Sequence, residues 1–340
     1  MLAAVLVKSK SKLQLIDIEI PELSFGQVLV KLKYSGICGA QINEIDAVKG
    51  KDKFLPHLLG HEGTGIVEEI GEGVTTVKRG DHVVLHWKKG NGLESKTPKY
   101  RYNGKLINAG WVTTFNEKAV VSENRVTKID KNFNLKIATL LGCSLTTAYG
   151  VVNNDANIKI GQSVIIIGLG GVGLNIVQAS SLVSANPIVG VDINSKKIKL
   201  AYKYGLDYGI KYSKSNLLIN KINNFLDKDK ADIVIETTGI SNMIELAYNL
   251  TSNDGKTILV GVPDKNINIY SLPLHFDKIL KGSFGGDTRP EVDIPNYIKL
   301  ILKKKINLKS LITHEFPLKK INDALKLFRT GKAGRIIIRF

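Results

Sequence analysis

"SVIIIGLGGVGLNIVQASSLV", residues 163–183, decides how the rest of the chain is read. Four apolar β-favouring residues, Val164 to Ile167, run into a glycine turn, and an apolar helical stretch follows. A short continuous apolar run of this kind suits a strand buried on both faces. The turn "GLGGVG", Gly168–Gly173, fits G-x-G-x-x-G, a pattern that carries weight only in such a strand–turn–helix setting. Gly168 permits the tight turn, Gly170 lets the backbone approach a pyrophosphate, and Gly173 allows close helix–strand packing. The N–H groups at the start of the helix, with Gly171 and Val172 in its first turn, then face the phosphates.

Outward from this turn the same texture repeats. "PIVGVDI" (187–193), "ADIVIETTG" (231–239) and "GKTILVGVP" (255–263) are short apolar runs separated by helical segments, which predicts a parallel sheet covered on both faces. Asp192 ends the first of these runs, 19 residues after Gly173, with Ile193 beside it. A carboxylate there accepts hydrogen bonds from ribose hydroxyls and repels a 2′-phosphate, which favours NAD over NADP. Lys197 weakens that preference, because a lysine could also meet a phosphate. The first 140 residues read differently. "QVLVKLKY", "GTGIVEEI" and "GDHVVLHW" alternate and are broken by glycine and charged turns, as antiparallel strands are. After Phe284 come helical segments, "IPNYIKLILKKK" and "INDALKLFRTGK", and a closing strand-like "RIIIRF" that could return to the first domain.

Composition sets the outer bounds. The 340 residues are 43% hydrophobic and 23% charged, enough for two globular cores. No apolar run approaches the roughly 18 residues of a membrane span, and the opening "MLAAVLV" lacks a charged start and a cleavage site, so a cytoplasmic protein is expected. The formal charge of +17 could suit nucleic acid, an acidic membrane surface or an anionic substrate. Only seven of the 48 basic residues are arginine, and the lysines are scattered. That fits a general composition bias better than a phosphate-binding surface, which would use arginine's fork. No nucleic-acid or membrane partner is expected.

"GHEGTGIVEEIGEGV", Gly60–Val74, matches G-H-E-x(2)-G-x(5)-G-x(2)-V at every fixed position. With "GIC" before it, and "LLGCSLTTAYG", "GLGGVG", "VDINSKK", "GSFGGDTRPEVDIP" and "RTGKAGR" after it in order, the whole chain resembles the zinc-containing alcohol dehydrogenases of the medium-chain dehydrogenase/reductase family. The likeness is greatest to the branch of glutathione-dependent formaldehyde and benzyl alcohol dehydrogenases. The resemblance implies an α/β protein in two parts. One is a GroES-like β-rich catalytic domain over residues 1–144 and 284–340, and the other a Rossmann doubly wound domain over 145–283. It further implies a catalytic zinc on Cys38, His61 and Cys143, and Arg335 on the cofactor pyrophosphate. The donor chemistry agrees: two thiolates and an imidazole suit tetrahedral zinc and leave a fourth position open. Glu62 follows the histidine. By resemblance it lies behind the zinc, tuning or joining its coordination; by residue type it could equally be a buried, hydrogen-bonded carboxylate. His86 and Trp87 end "HVVLHW" where the family places an aromatic wall of the substrate pocket, whereas His57, His82, His275 and His314 have ordinary packed or surface explanations.

Two departures from the family pattern matter. The stretch "KKGNGLESKTPKYRYNGK", 88–105, has none of the four cysteines that hold a structural zinc in some relatives, so one zinc per subunit is expected. It carries six basic residues and one Glu, a balance of +5, as a solvated loop or a rim for an anionic substrate. In "YSGICGAQIN", 34–43, the positions that commonly carry a proton-relaying Ser or Thr, an Asp behind the ligand histidine, and a further histidine hold Ala40, Gln41 and Asn43. Gln41 could still accept an N–H bond from His61 through its carbonyl. The usual proton path is absent or rerouted through water, a cofactor ribose hydroxyl, His86 or the substrate.

These features together predict an NAD(H)-linked, zinc-dependent dehydrogenase acting on a small alcohol or carbonyl compound, as a homodimer or homotetramer in which "INIYSLPLHF" could supply an edge strand. A sugar, polyol or nucleotide-sugar dehydrogenase with an anionic substrate is the alternative enzyme. A catalytically silent protein that binds NAD or nucleic acid is the alternative of another class.

Overall fold

Val164–Ile167 is wholly buried and lies inside a six-stranded, all-parallel sheet. The computed structural model describes residues 1–340 except 49, 214–218, 220, 223, 227–228, 264 and 309. The strands lie side by side in the order Tyr208–Lys211, Ile188–Asp192, Val164–Ile167, Ala231–Glu236, Thr251–Leu259 and Ile279–Gly282. The chain leaves Val164–Ile167 toward one side and later returns to its other side at Ala231–Glu236. The glycine turn therefore sits where the strand order reverses, the usual ligand position in such sheets. Ile165, Ile167, Val191 and Val234 pack against Ala247 and Leu250 of the helix Ser241–Leu250, which accounts for the unbroken apolar runs.

Two compact units are present: Met1–Cys143 with Arg289–Phe340, and Ser144–Thr288, which holds the parallel sheet. The first contains two sheets. One has five strands, with Leu2–Leu6 between Gln14–Asp17 and His57–Leu58. The other has seven, and its middle runs Val126–Ile129, His82–His86, Glu62–Ile70, Gln27–Gly36, Arg335–Arg339 and Ile312–Pro317. The strand Lys118–Ser122 pairs along Gln27–Gly36 as well. The tail does return to this unit. After the helices Pro290–Leu302 and Ile321–Arg329, the closing strand pairs antiparallel with Gln27–Gly36, setting Ile337 opposite Gly36.

One local expectation fails. "INIYSLPLHF" is not a strand: it is irregular and ends in a short 3-10 turn, Leu272–His275. Pro273 has no N–H to give a ladder and fixes its own φ, which favours the turn. The edge strand of the sheet is Ile279–Gly282 instead. Among the described residues no single helix is long and apolar enough to cross a membrane.

Candidate metal centre and nucleotide turn

Three chain segments of the first unit bring Cys38, His61 and Cys143 together. Cys38 is the N-cap of the helix Gly39–Ile45, just past the end of the strand Gln27–Gly36. His61 immediately precedes the strand Glu62–Ile70, and Cys143 follows the 3-10 turn Thr139–Gly142. The two sulfurs and one ring nitrogen lie within 4.8 Å of one another. A tetrahedral zinc with bonds of about 2.0–2.3 Å needs its donors roughly 3.5–4 Å apart, so the set can close on one ion with little movement. His61 Nε2 is buried with no hydrogen-bond partner, a costly state that a metal would relieve. The Cys38 thiol is held well below its ordinary value, first by its hydrogen bond with Cys143, then by His61 and the charge of Arg335, against the opposing effect of burial. The thiolate is the ligating form, so the residues present fit a catalytic zinc.

Gln41 departs from its expected geometry. Its carbonyl oxygen accepts the N–H of Cys38 at 2.8 Å, and its amide Nε2 lies 2.6 Å from Nδ1 of His61. The reason is local. Gln41 is the third residue of the helix, and a glutamine there reaches back to the N-cap N–H, as in a capping box. The side chain is 1% exposed and ties two ligand-bearing segments to each other.

Glu62 is fully buried and forms an ion pair with Arg335, itself buried. The strand Gln27–Gly36 lies between theirs, and the pair meets over Gly36. A Cβ there would fall 2.2 Å from Glu62 Oε1, so only glycine leaves room. Arg335 thus faces Glu62 and Cys38 at the metal centre. That pairing spans the chain, and no sequence signal for it was available. His86 is 1% exposed with both ring nitrogens engaged, Nδ1 with Lys88 O at 2.7 Å and Nε2 with Thr127 Oγ1 at 2.9 Å. Burial pushes it down to about 4. It is a neutral packing residue with no nitrogen left to relay a proton. Ala40 and Asn43 lie in the same helix as Gln41, and Ala40 offers no polar group. Trp87 follows His86, and its carbonyl accepts a bond from Arg125.

In the second unit, Gly168 has φ +93°, a left-handed conformation that glycine adopts without strain. A Cβ on Gly173 would lie 1.9 Å from Gly168 O, whereas one on Gly170 would meet nothing within 4 Å. The turn is therefore closed on its packing side and open at Gly170, the N-cap of the helix Gly171–Leu182 that includes Val172. Asp192 Oδ2 accepts the N–H of Leu169 at 2.8 Å and Oδ1 that of Asn194 at 2.7 Å, tying the turn to the next strand. Each oxygen keeps a lone pair for a ligand hydroxyl. Ile193 beside it is exposed and Lys197 half-buried.

Comparison with known proteins fits this geometry. Residues 24–131 match the alcohol dehydrogenase GroES-like domain, and residues 171–303 the zinc-binding dehydrogenase family. The chain is similar to S-(hydroxymethyl)glutathione dehydrogenase of Escherichia coli O1:K1, with 31% identity over 366 residues and 99% of each chain covered. Among solved structures it is similar to benzyl alcohol dehydrogenase from Acinetobacter calcoaceticus, with a TM-score of 0.89, 26% identity, and 100% and 99% coverage. An alcohol dehydrogenase zinc-binding domain protein from Burkholderia ambifaria shares the fold, with a TM-score of 0.91, 24% identity, and 100% and 98% coverage.

Proposed function

Because this chain belongs to the zinc-containing alcohol dehydrogenases of the medium-chain dehydrogenase/reductase family, we propose that it interconverts a primary or secondary alcohol and its aldehyde or ketone by NAD(H)-linked hydride transfer. The observation that carries this is the convergence of Cys38, His61 and Cys143 on one point. Zinc, when bound there, supplies Lewis acidity toward the substrate oxygen. Around it, Gln41 caps the backbone N–H of Cys38 through its carbonyl, while Arg335 balances the charge of Glu62. We therefore assign Arg335 to the metal centre. Gly168, Gly170, Gly171, Val172 and Gly173 would cradle the dinucleotide phosphates, with Asp192, Ile193 and Lys197 at the adenosine end; Asp192 favours NAD.

The alcohol proton has no hydroxyl at Ala40 to take it and no free nitrogen on His86. It leaves through water or through a hydroxyl of cofactor or substrate. The basic stretch 88–105 is partly engaged internally, Lys89 with Glu94 and Lys99 with Asn108, which favours a neutral alcohol over an anionic sugar. One zinc per chain follows, since both cysteines serve this centre. Two ligating thiols suit the reducing cytoplasm. The exposed edge around Ile279–Gly282, with Tyr270 and Phe276 nearby in sequence, suits a homodimer or a tetramer built from it.

Metal analysis of the dialysed protein, with NADH absorbance across an alcohol panel, tests the reading. About one zinc per chain is expected, lost in Cys38→Ser and His61→Ala, with NAD used in preference to NADP. A zinc-loaded protein that oxidises no alcohol and reduces no aldehyde with either cofactor would sink it.

A further inference from the structure

We propose that Glu236 biases the chain toward the oxidised form of its dinucleotide: the buried carboxylate, with no cation to neutralise it, raises the affinity for the cationic nicotinamide of NAD+ relative to the neutral ring of NADH. The inference rests on the NAD(H) reading above. Glu236 ends the strand Ala231–Glu236 and is 0% exposed. Its Oε1 accepts the N–H of Thr238 at 2.6 Å, the hydroxyl of Thr238 and the N–H of Gly239 at 3.2 Å. Its Oε2 lies 3.0 Å from the same Gly239 N–H. A carboxyl that accepts from every partner around it is held in its ionised form. Burial pushes its value up, and these bonds pull the other way. Among the described residues no Lys, Arg or His pairs with it, whereas the buried Glu62 and Asp155 are met by Arg335 and Lys281. A charge left bare in a low-dielectric interior acts at longer range than a paired one.

The carboxylate stands on the far side of the glycine turn from Asp192. Ile167, the last residue before the turn, pairs with Val191 on one side and with Glu236 on the other. Thr237, next to Glu236, donates its hydroxyl to Gly168 O at 2.8 Å, so this loop touches the turn itself. Neighbouring strands lie about 4.8 Å apart. A dinucleotide with its adenosine at Asp192 and its pyrophosphate at Gly170 therefore extends its nicotinamide half to the side of Glu236. The carbonyl of Glu236 also accepts the N–H groups of Val260 at 2.8 Å and Gly261 at 3.1 Å. A Cβ on Gly261 would fall 2.0 Å from Gly239 N, so the loops that follow the two strands are interlocked. Only the nicotinamide ring changes charge between the two redox forms. A fixed negative charge on its side of the turn thus acts on their ratio and leaves the shared adenosine and phosphate contacts alone.

Binding titrations of the zinc-loaded protein test this, with NADH followed by its own fluorescence and NAD+ by competition against it. Glu236→Gln keeps the size and an acceptor oxygen and removes the charge. The NAD+ dissociation constant should then rise about tenfold relative to that of NADH, the Coulomb effect of one charge at roughly 10 Å in a partly solvated site. Glu236→Asp keeps the charge and should restore most of the wild-type ratio. A purely structural carboxylate would weaken both forms alike and leave the ratio where it was. Ile240 is exposed on the same loop, so Ile240→Lys remains informative if Glu236→Gln fails to fold. Its cation should shift the ratio in the same direction, and Ile240→Leu should not. An unchanged ratio in Glu236→Gln or, failing that variant, in Ile240→Lys overturns the proposal and leaves the NAD(H) reading standing. A wild type that binds neither form overturns both.

Discussion

Arg335 and Glu62 form an ion pair closed to solvent on both sides, their side chains 4% and 0% exposed. Removing one partner of such a pair leaves an uncompensated buried charge, at a cost of about 3–5 kcal/mol. Glu62→Gln should lower the unfolding free energy in urea by about that much, while Glu62→Gln with Arg335→Met recovers most of the loss. A Glu62→Gln cost under about 1 kcal/mol would mean that water reaches the guanidinium.

Gln41 links two ligand-bearing segments through two hydrogen bonds. Gln41→Leu keeps the bulk and loses both bonds. Zinc should then be given up to a chelator about fivefold more readily, because the turn that carries Cys38 loses a cap worth about 1 kcal/mol. Unchanged retention in a chelator competition would show that the ligands hold their positions without it.

His86 makes the protein sensitive to acid. Its folded value, pushed down by burial to about 4, lies below the ordinary imidazole value of about 6.5. Between those limits the unfolded chain binds more protons than the folded one, so stability rises with pH and is lost as pH falls from about 6.5 toward 4. The full loss is about 3 kcal/mol. His86→Gln, compared with wild type in urea melts near neutral pH and near pH ~4.5 with metal chelated from both, should show a flatter dependence. Equal slopes would assign the acid sensitivity to other groups.

The two sides of the glycine turn should respond differently to one added methyl group. Gly173→Ala places a Cβ 1.9 Å from Gly168 O and should cost about 1–3 kcal/mol of stability. Gly170→Ala meets nothing within 4 Å and has φ −74°, so it should melt like the wild type. Its Cβ occupies the open side, and NAD affinity in a binding titration should fall without a change in stability. Unaltered NAD affinity would move the pyrophosphate away from Gly170.

Much of the molecule is legible in local sequence because the physics that sets it is local. The buried strand Val164–Ile167, its glycine turn and its helix follow from residue order within about 20 positions. The three donors each sit in a motif of their own, and the resemblance of those motifs to the zinc-containing alcohol dehydrogenases nominates the zinc centre, with which their donor chemistry agrees. The pairing between motifs is another matter. Arg335 reaches Glu62 only because Gln27–Gly36 lies between their strands and ends in a glycine with no side chain to block the way. Gln41 turns its carbonyl to Cys38 because helix capping claims that oxygen. Arg125 finds Trp87, Trp111 and Glu94 through loop packing that no periodicity encodes. The sequence by itself determined most of the elements and the parallel sheet, which depend on neighbours along the chain, and its family resemblance named the ligands. Only the tertiary structure decided which buried charge meets which partner, because that choice is made by strand register and by the cost of burying a charge alone.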